Sequence, residues 1–271
     1  MSINTNVFGE RIEDVLGEIL AESGGEMLLV DPTVETLEAL LDVLDTTTAS
    51  VKVLATESEL KELSRDFKLA SRAADYEDDD RLSLRVYDEP LNTVLVADGF
   101  VTALVAGGSS VAGLTTTDES FVAEAYEQHT TAFESAEPFD LRTPGTTHVN
   151  ETLTESLGEQ TARDFEAALD AMDTARGDDS DLSEVTIALL VAAKNEELLY
   201  DISKWGEDTG VASKATFSRT KTNLEDRGLI DTEKVPIDVG RPRLRLQLGD
   251  DRLTDVSAGE LVSVAQSVLA K

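Results

Sequence analysis

The sequence has 271 residues, 41% hydrophobic and only 5% aromatic, enough for two domains whose cores rest on Leu, Val, Ile and Ala. It contains no cysteine, which excludes disulfides, thiol catalysis and thiolate metal sites, and no apolar run approaches the ~18 residues that a membrane helix needs. With 55 acids against 23 bases the net charge is −32, yet the regular apolar periodicity argues against a disordered acidic chain.

The charge reads instead as adaptation to molar cytoplasmic salt, where the Debye length is ~3 Å and self-repulsion is screened. Residues Met1–Asn6 have neither a basic region nor an apolar core, so no secretory leader is expected and the cytoplasm is the expected compartment. The charge is uneven. From Lys194 to Arg245 ten basic residues balance ten acids, and the rest of the chain carries the whole excess. A neutral island in so acidic a chain points to a surface that meets something negative.

In chain order, Phe8, Ile12, Val15, Leu16, Ile19 and Leu20 predict an opening helix over about Asn6–Glu22, stopped by Ser23-Gly24-Gly25. A buried strand at Glu26–Val30 follows. Asp31-Pro32 then reads as an N-cap with proline in the first helical turn, opening a helix whose core face is Val34, Leu37, Leu40, Leu41 and Leu44. Val51–Ala55 is a second strand, and Thr56 with Glu59 makes a capping-box pattern into a helix reaching about Ala74. The acidic run from Tyr76 to Arg81 reads as a solvated loop and Leu82–Tyr87 as a strand. Thr93–Ala97 and Phe100–Ala106 flank Asp98-Gly99, a strong hairpin signal. Gly107-Gly108-Ser109-Ser110 is a loop, Val111–Thr115 a short strand, and Asp118–Ala136 a helix. Strands alternating with helices, then a hairpin, predict an α/β domain with a mixed sheet over residues 1–145.

Pro138–Gly145 reads as a linker and Thr152–Ala175 as a long helix. With the acidic linker Gly177–Asp181 these make a helical connector over 146–181. The last module, 182–271, opens with helices over Leu182–Asn195 and Tyr200–Glu207. A turn at Asp208–Val211 leads to a third helix, Lys214–Arg227, capped by Ser213 and closed by Gly228. Arg243–Leu248 alternates strictly, with Leu244, Leu246 and Leu248 on the core face and Arg243, Arg245 and Gln247 outside. Three helices followed by a β-hairpin is the order of a winged helix-turn-helix. Its third helix presents its first turns to the DNA major groove. Ser213, Lys214, Thr216, Ser218, Arg219, Lys221 and Thr222 are the candidate DNA-binding residues there, and Arg241, Arg243 and Arg245 those of the wing.

The stretch from Ser213 to Ile230, with Leu224-Glu225-Asp226-Arg227-Gly228-Leu229-Ile230 as its sharpest part, resembles the recognition helix and following strand of winged-helix regulators. With the strand Gly25–Asp31 and the hairpin at Asp98-Gly99, the whole chain resembles the haloarchaeal TbsP family of transcription regulators. The resemblance implies a repressor of sugar and gluconeogenic metabolism. The first domain is also loosely similar to the phospholipase D-like sensor domain of TrmB-type regulators. It lacks the His-x-Lys motif of the enzymes, because Thr130-Thr131 follow His129 and Val149-Asn150 follow His148.

Outside the last module, an effector such as a sugar or sugar phosphate is expected at the carboxyl ends of the parallel strands, at Asp31 and Thr56, with Ser109 and Ser110. Asp31 as a phosphoacceptor is the sharper reading, and capping already explains the residue. Neither G-x-G-x-x-G nor a Walker A pattern occurs, and two histidines predict no transition-metal site, so no cofactor is expected. His129 reads as a surface or packing residue of its helix. Double-stranded DNA and a second copy are the expected partners. Pairing is expected through the Thr152–Ala175 helix or through the stripe Leu261, Val264, Ala265, Val268 and Leu269 on a last helix over about Thr254–Ala270. Two competing readings are an open-sheet enzyme with an accessory winged helix, and an interaction module that controls another regulator without touching DNA.

Overall fold

The computed structural model describes residues 6–23, 26–88, 92–174, 182–238, 240–254 and 256–269. Gly24, Gly25, Ala175, the linker at Gly177–Asp181 and Ala270 lie outside them. The chain divides into two units, Met1–Gly145 and Thr146–Lys271.

The first unit runs β1 (Val7–Gly9), α1 (Ile12–Ser23), β2 (Met27–Val30), α2 (Val34–Leu44), β3 (Val51–Ala55), α3 (Glu57–Arg65), α4 (Phe67–Asp78), β4 (Leu82–Val86), β5 (Val94–Ala97), β6 (Phe100–Gly107), β7 (Ser110–Thr116), α5 (Glu119–Ser135) and β8 (Glu137–Pro138). The strands form one sheet in the order β1-β7-β6-β5-β2-β3-β4-β8. β2, β3 and β4 are parallel, and every other pairing is antiparallel, so the sheet is mixed, as the alternation of elements predicts. On one face Leu29, Val53, Leu84 and Leu95 meet Leu16, Ile19, Leu40, Leu44, Leu60 and Ala73 of α1–α4. On the other Leu28, Val30, Leu54 and Val96 meet Val122 and Phe133 of α5. Each Leu or Ile so enclosed contributes ~1.5–3 kcal/mol. α1 lies so close to β7 that a Cβ at Gly113 would stand 3.0 Å from a Val15 methyl.

Several expectations are corrected. Val7–Gly9 is an edge strand and not the start of a helix, because Val7 is buried where it pairs with Gly113. Asp31 is not the cap of α2: it takes a left-handed backbone with φ 50°, and Thr33 caps the helix by accepting the N–H of Thr36. Thr56 does cap α3, but Glu59 turns its carboxylate away to take the N–H of Val34 at 2.6 Å, tying α3 to the start of α2. The helix expected from Thr56 to Ala74 breaks at Asp66, which caps α4 by accepting the N–H of Leu69. The expected linker at Pro138 forms part of the sheet, with Phe139 and Leu141 against the core and the Pro144 carbonyl accepting from Ser71 Oγ at 2.6 Å.

α4 also takes in the first half of the run read as a solvated loop, through Asp78, which leaves Glu77 half-buried. Burial pushes its carboxyl up from 4.5 to about 7; a bond from the Leu84 N–H opposes this, and the charges of Asp140 and Asp78 add to it. Between those two values the folded chain holds more proton here than the unfolded chain does. Stability from this site therefore falls as pH rises through that window. Glu77→Gln is expected to raise the melting temperature above the parent's at about pH 8 and to leave it near the parent's at about pH 4.5, as read by circular dichroism.

The second unit contains α6 (Thr146–Leu157), α7 (Glu159–Thr174), α8 (Glu184–Lys194), α9 (Leu199–Thr209), α10 (Lys214–Asp226), β9 (Ile230–Val235), β10 (Arg243–Leu248), α11 (Asp251–Thr254) and α12 (Ala258–Leu269). The single helix expected over Thr152–Ala175 is two, separated at Gly158, whose φ of 92° favours glycine. α8 is central, with every residue from Val185 to Ala193 buried. The stripe of the last helix is partly covered within its own unit: Leu261 and Ala265 are fully buried and α12 packs on α7, while Val264, Val268 and Leu269 are half-buried. Among the described residues no helix is long and apolar enough to cross a membrane.

Candidate nucleic-acid interface

α9, the turn at Gly210 and α10 are the two helices and the turn of the motif. Leu199–Thr209 ends in a left-handed Gly210 with φ 87°. Ser213 then starts α10 by accepting the N–H of Thr216 at 3.2 Å. What sets the helices close is Gly206. A Cβ there would stand 2.2 Å from the ring of Phe217, which is fully buried. Trp205 completes this core. Its ring meets Phe165 of α7 edge-on, 5.8 Å between centroids, and its Nε1–H donates to Thr152 Oγ of α6 at 3.1 Å.

Phe217 and Leu224 point inward, so the opposite stripe of α10 is Ala215, Ser218, Arg219, Thr222, Asn223 and Asp226, all exposed. Arg219 makes no ion pair among the described residues. The other cations are engaged. Lys214 pairs with Glu207, which raises the lysine's pKa and lowers the carboxylate's. Lys221 is only 13% exposed and bonds Glu225 at 2.6 Å. Burial pushes Glu225 up, but the bonds from Lys221 and from Thr232 outweigh it and leave its carboxyl below its usual range.

β9 and β10 pair antiparallel from Ile230↔Leu248 to Val235↔Arg243, leaving a wing tip over 236–242 in which Val239 lies outside the described residues. Arg241, at the tip, is exposed and makes no ion pair among the described residues. Arg243 and Arg245 do not project freely from the wing. Arg243 lies over the Tyr200 ring at 4.1 Å and reaches Asp201 at 3.3 Å, and Arg245 sits 3.7 Å from Glu233. Leu246 is buried as the alternation predicts, while Leu244 and Leu248 are half-buried. Of the ten residues expected here, Ser213, Ser218, Arg219 and Thr222 are exposed on α10 and Arg241 on the wing tip. Thr216 is half-buried beside its cap. Asn223 and Ala215 were missed, although a 3.6-residue period counted from Ser218 and Arg219 reaches both.

The four residues expected to bind an effector are not brought together. Asp31 and Thr56 stand just beyond the ends of β2 and β3. The Asp31 N–H donates to the Leu54 carbonyl at 2.8 Å, and its carbonyl accepts from Thr93 Oγ at 2.7 Å. Ser109 and Ser110 belong to the tight β6–β7 turn and line an open cleft of about 490 Å³ with Glu10, Glu13, Glu35 and Glu38. Those carboxylates oppose a phosphorylated ligand. His129 is buried on α5 and its Nδ1 has no partner among the described residues; burial pushes its pKa down, which favours the neutral ring. Among the described residues no group of three His, Cys, Asp or Glu stands ready for a metal ion.

Comparison with known proteins bears on this geometry. The family profile described as transcriptional regulator TbsP-like, N-terminal, matches residues 4–144, and that of the TbsP-like C-terminal HTH domain matches 145–266. No curated protein matches the sequence. Among solved structures, TrmBL2, an archaeal chromatin protein whose structure shows a novel mode of DNA binding, is 21% identical, with 51% of this chain and 55% of TrmBL2 covered and a TM-score of 0.37. The chain thus spans about half of TrmBL2. The Orc1 protein of Aeropyrum pernix in complex with DNA is 14% identical over 96% of this chain and 76% of its own, with a TM-score of 0.22. Likeness this distant carries no argument; the two family profiles together span nearly the whole sequence, and the chain belongs to the TbsP-like family of transcriptional regulators.

Proposed function

We propose that this chain is a sequence-specific regulator that lays α10 in the major groove of double-stranded DNA and sets Arg241 of the wing against the flanking backbone or minor groove. The observation that carries the reading is the exposed, mostly polar stripe of α10 centred on Arg219, which makes no ion pair among the described residues, in a chain of net charge −32. At molar salt the counterion-release term is small, so contacts to base edges carry more of the affinity than they do in dilute salt. Family membership favours a regulator over an enzyme. The resemblance to haloarchaeal relatives adds that it represses genes of sugar and gluconeogenic metabolism, and the weak binding of a single winged helix adds that it acts as a homodimer, in the cytoplasm. The effector on this reading is a sugar or sugar phosphate at the strand ends near Asp31 and Thr56. Mapping the DNA bound in cells grown with and without sugar tests this: promoters of such genes should be occupied in one condition and released in the other. Occupancy without any shared sequence would refute specific regulation.

Lys214 must leave Glu207 before it can touch DNA. Lys214→Ala should therefore weaken binding less than loss of Arg219, and Glu207→Gln should tighten it a few-fold. Anisotropy titrations at molar KCl check both.

A further inference from the structure

The sheet of the first unit is covered unevenly. On the side away from α1–α4, α5 lies over β2, β3, β5 and the start of β6. The rest of that side, on β6, β7 and β1, has no cover among the described residues. Register shows which side chains stand there. Val7, Gly113 and Leu104 share the α1 side, so their neighbours Phe8, Ala112, Leu114 and Val105 point the other way. Phe8 is 71% exposed, Val105 45% and Leu114 44%. β7 leads through Thr117 and Asp118 directly into α5, where Phe121 is 53% exposed at the border of the same strip.

The strip is also free of charge. Between Asp98 and Asp118 there is no acidic or basic residue, in a chain where 29% of residues are charged. Neither DNA nor a basic protein finds anything to pair with here. For a second copy, also at −32, it is the favourable place to touch. Molar salt screens repulsion between distant acids, but acids pressed together and stripped of water still oppose contact. A neutral apolar face meeting its own copy across a two-fold axis brings no acid into the centre of the contact.

We propose that Phe8, Val105, Ala112 and Leu114, with Phe121 at the border, form the homodimer interface of this protein. The inference rests on the reading that two copies act together on DNA, and it gives that pair its surface. Size agrees with including α5. The seven residues of β7 are ~23 Å long and, with the uncovered parts of β6 and β1, the strip is ~15 Å wide, roughly 350 Å² at most. A stable dimer needs ~800 Å² from each partner. The rest of the contact is a hydrated rim past the strands, where Phe121 borders the exposed acids Glu119 and Glu124 of α5, so the acids stay at the edge and the apolar strands at the centre.

Sedimentation and light scattering of the full chain in molar KCl test the proposal. The parent is expected at twice the chain mass at micromolar concentration. The double variant Phe8→Asp/Leu114→Asp should run at the mass of one chain with unchanged circular dichroism. The chain has no cysteine, so Leu114→Cys gives an independent reading that does not depend on tolerating buried charge. A long, flexible bismaleimide should join it to its copy, while Ser58→Cys on α3 should not be joined, since a direct disulfide would require the two cysteines to face each other across the axis. A monomeric parent, a folded double variant that stays dimeric, or a Leu114→Cys chain that does not link would overturn the proposal. Arg219→Ala should leave the mass unchanged, so failure of this interface and failure of DNA reading by α10 show up in different measurements.

Discussion

Arg219→Ala is expected to weaken binding to the chain's own DNA site by roughly 5- to 150-fold and to relax selectivity at one base pair, the ~1–3 kcal/mol of a well-placed base contact. The melting curve should not change. Arg219 is exposed and makes no ion pair among the described residues, so its removal leaves no buried partner behind. Arg243→Ala should behave differently. That guanidinium lies on Tyr200 and near Asp201, so its loss should loosen the wing against α9 and lower stability as well as affinity. Titration of both variants at molar KCl, with thermal melts alongside, separates reading from support.

The second large effect is expected at Gly206. Alanine is the better helix former by ~1 kcal/mol, so a gain would follow from propensity alone. The added methyl would sit 2.2 Å from one ring carbon of Phe217 and 2.5 Å from another, and that ring has no room to move. Overpacking of this kind costs ~1–3 kcal/mol or more. Gly206→Ala should therefore lower the melting temperature of the second unit by roughly 4–10 °C. It should also weaken DNA binding, because the angle between α9 and α10 changes. Phe217→Leu in the same chain should recover part of the loss, whereas on its own it should destabilise by leaving a cavity. Recovery identifies the clash as the cause.

Much of the architecture was legible because its signals are local. β3, the β5–β6 hairpin at Asp98-Gly99 and the starts of the helices capped by Thr56 and Ser213 follow from spacing and capping within a few residues. What escaped depends on distant partners. Val7–Gly9 looks helical beside Ile12 and Val15, and its strand pairing is with residues about a hundred positions later. Pro138 reads as a break until β4 supplies a partner. The apolar stripe of α12 does not by itself show that α7 takes Leu261 and Ala265. At the interface, periodicity gave the exposed face of α10. It could not show that Lys214, Lys221 and Arg243 are occupied by Glu207, Glu225 and Asp201, because long side chains choose partners by tertiary geometry. Counting basic residues overstated the number available to DNA; of the cations expected to touch it, Arg219 and Arg241 make no ion pair among the described residues.

The most direct test of α10 as the reading element is selection of bound duplexes from a random pool at molar KCl, run in parallel with the parent and with Arg219→Ala. The parent should enrich one sequence motif. The variant, folded by circular dichroism, should bind that motif more weakly and lose preference at a defined position within it. No enrichment by the parent, or recovery of the same motif at the same affinity by the variant, would contradict the assignment of α10 to the major groove.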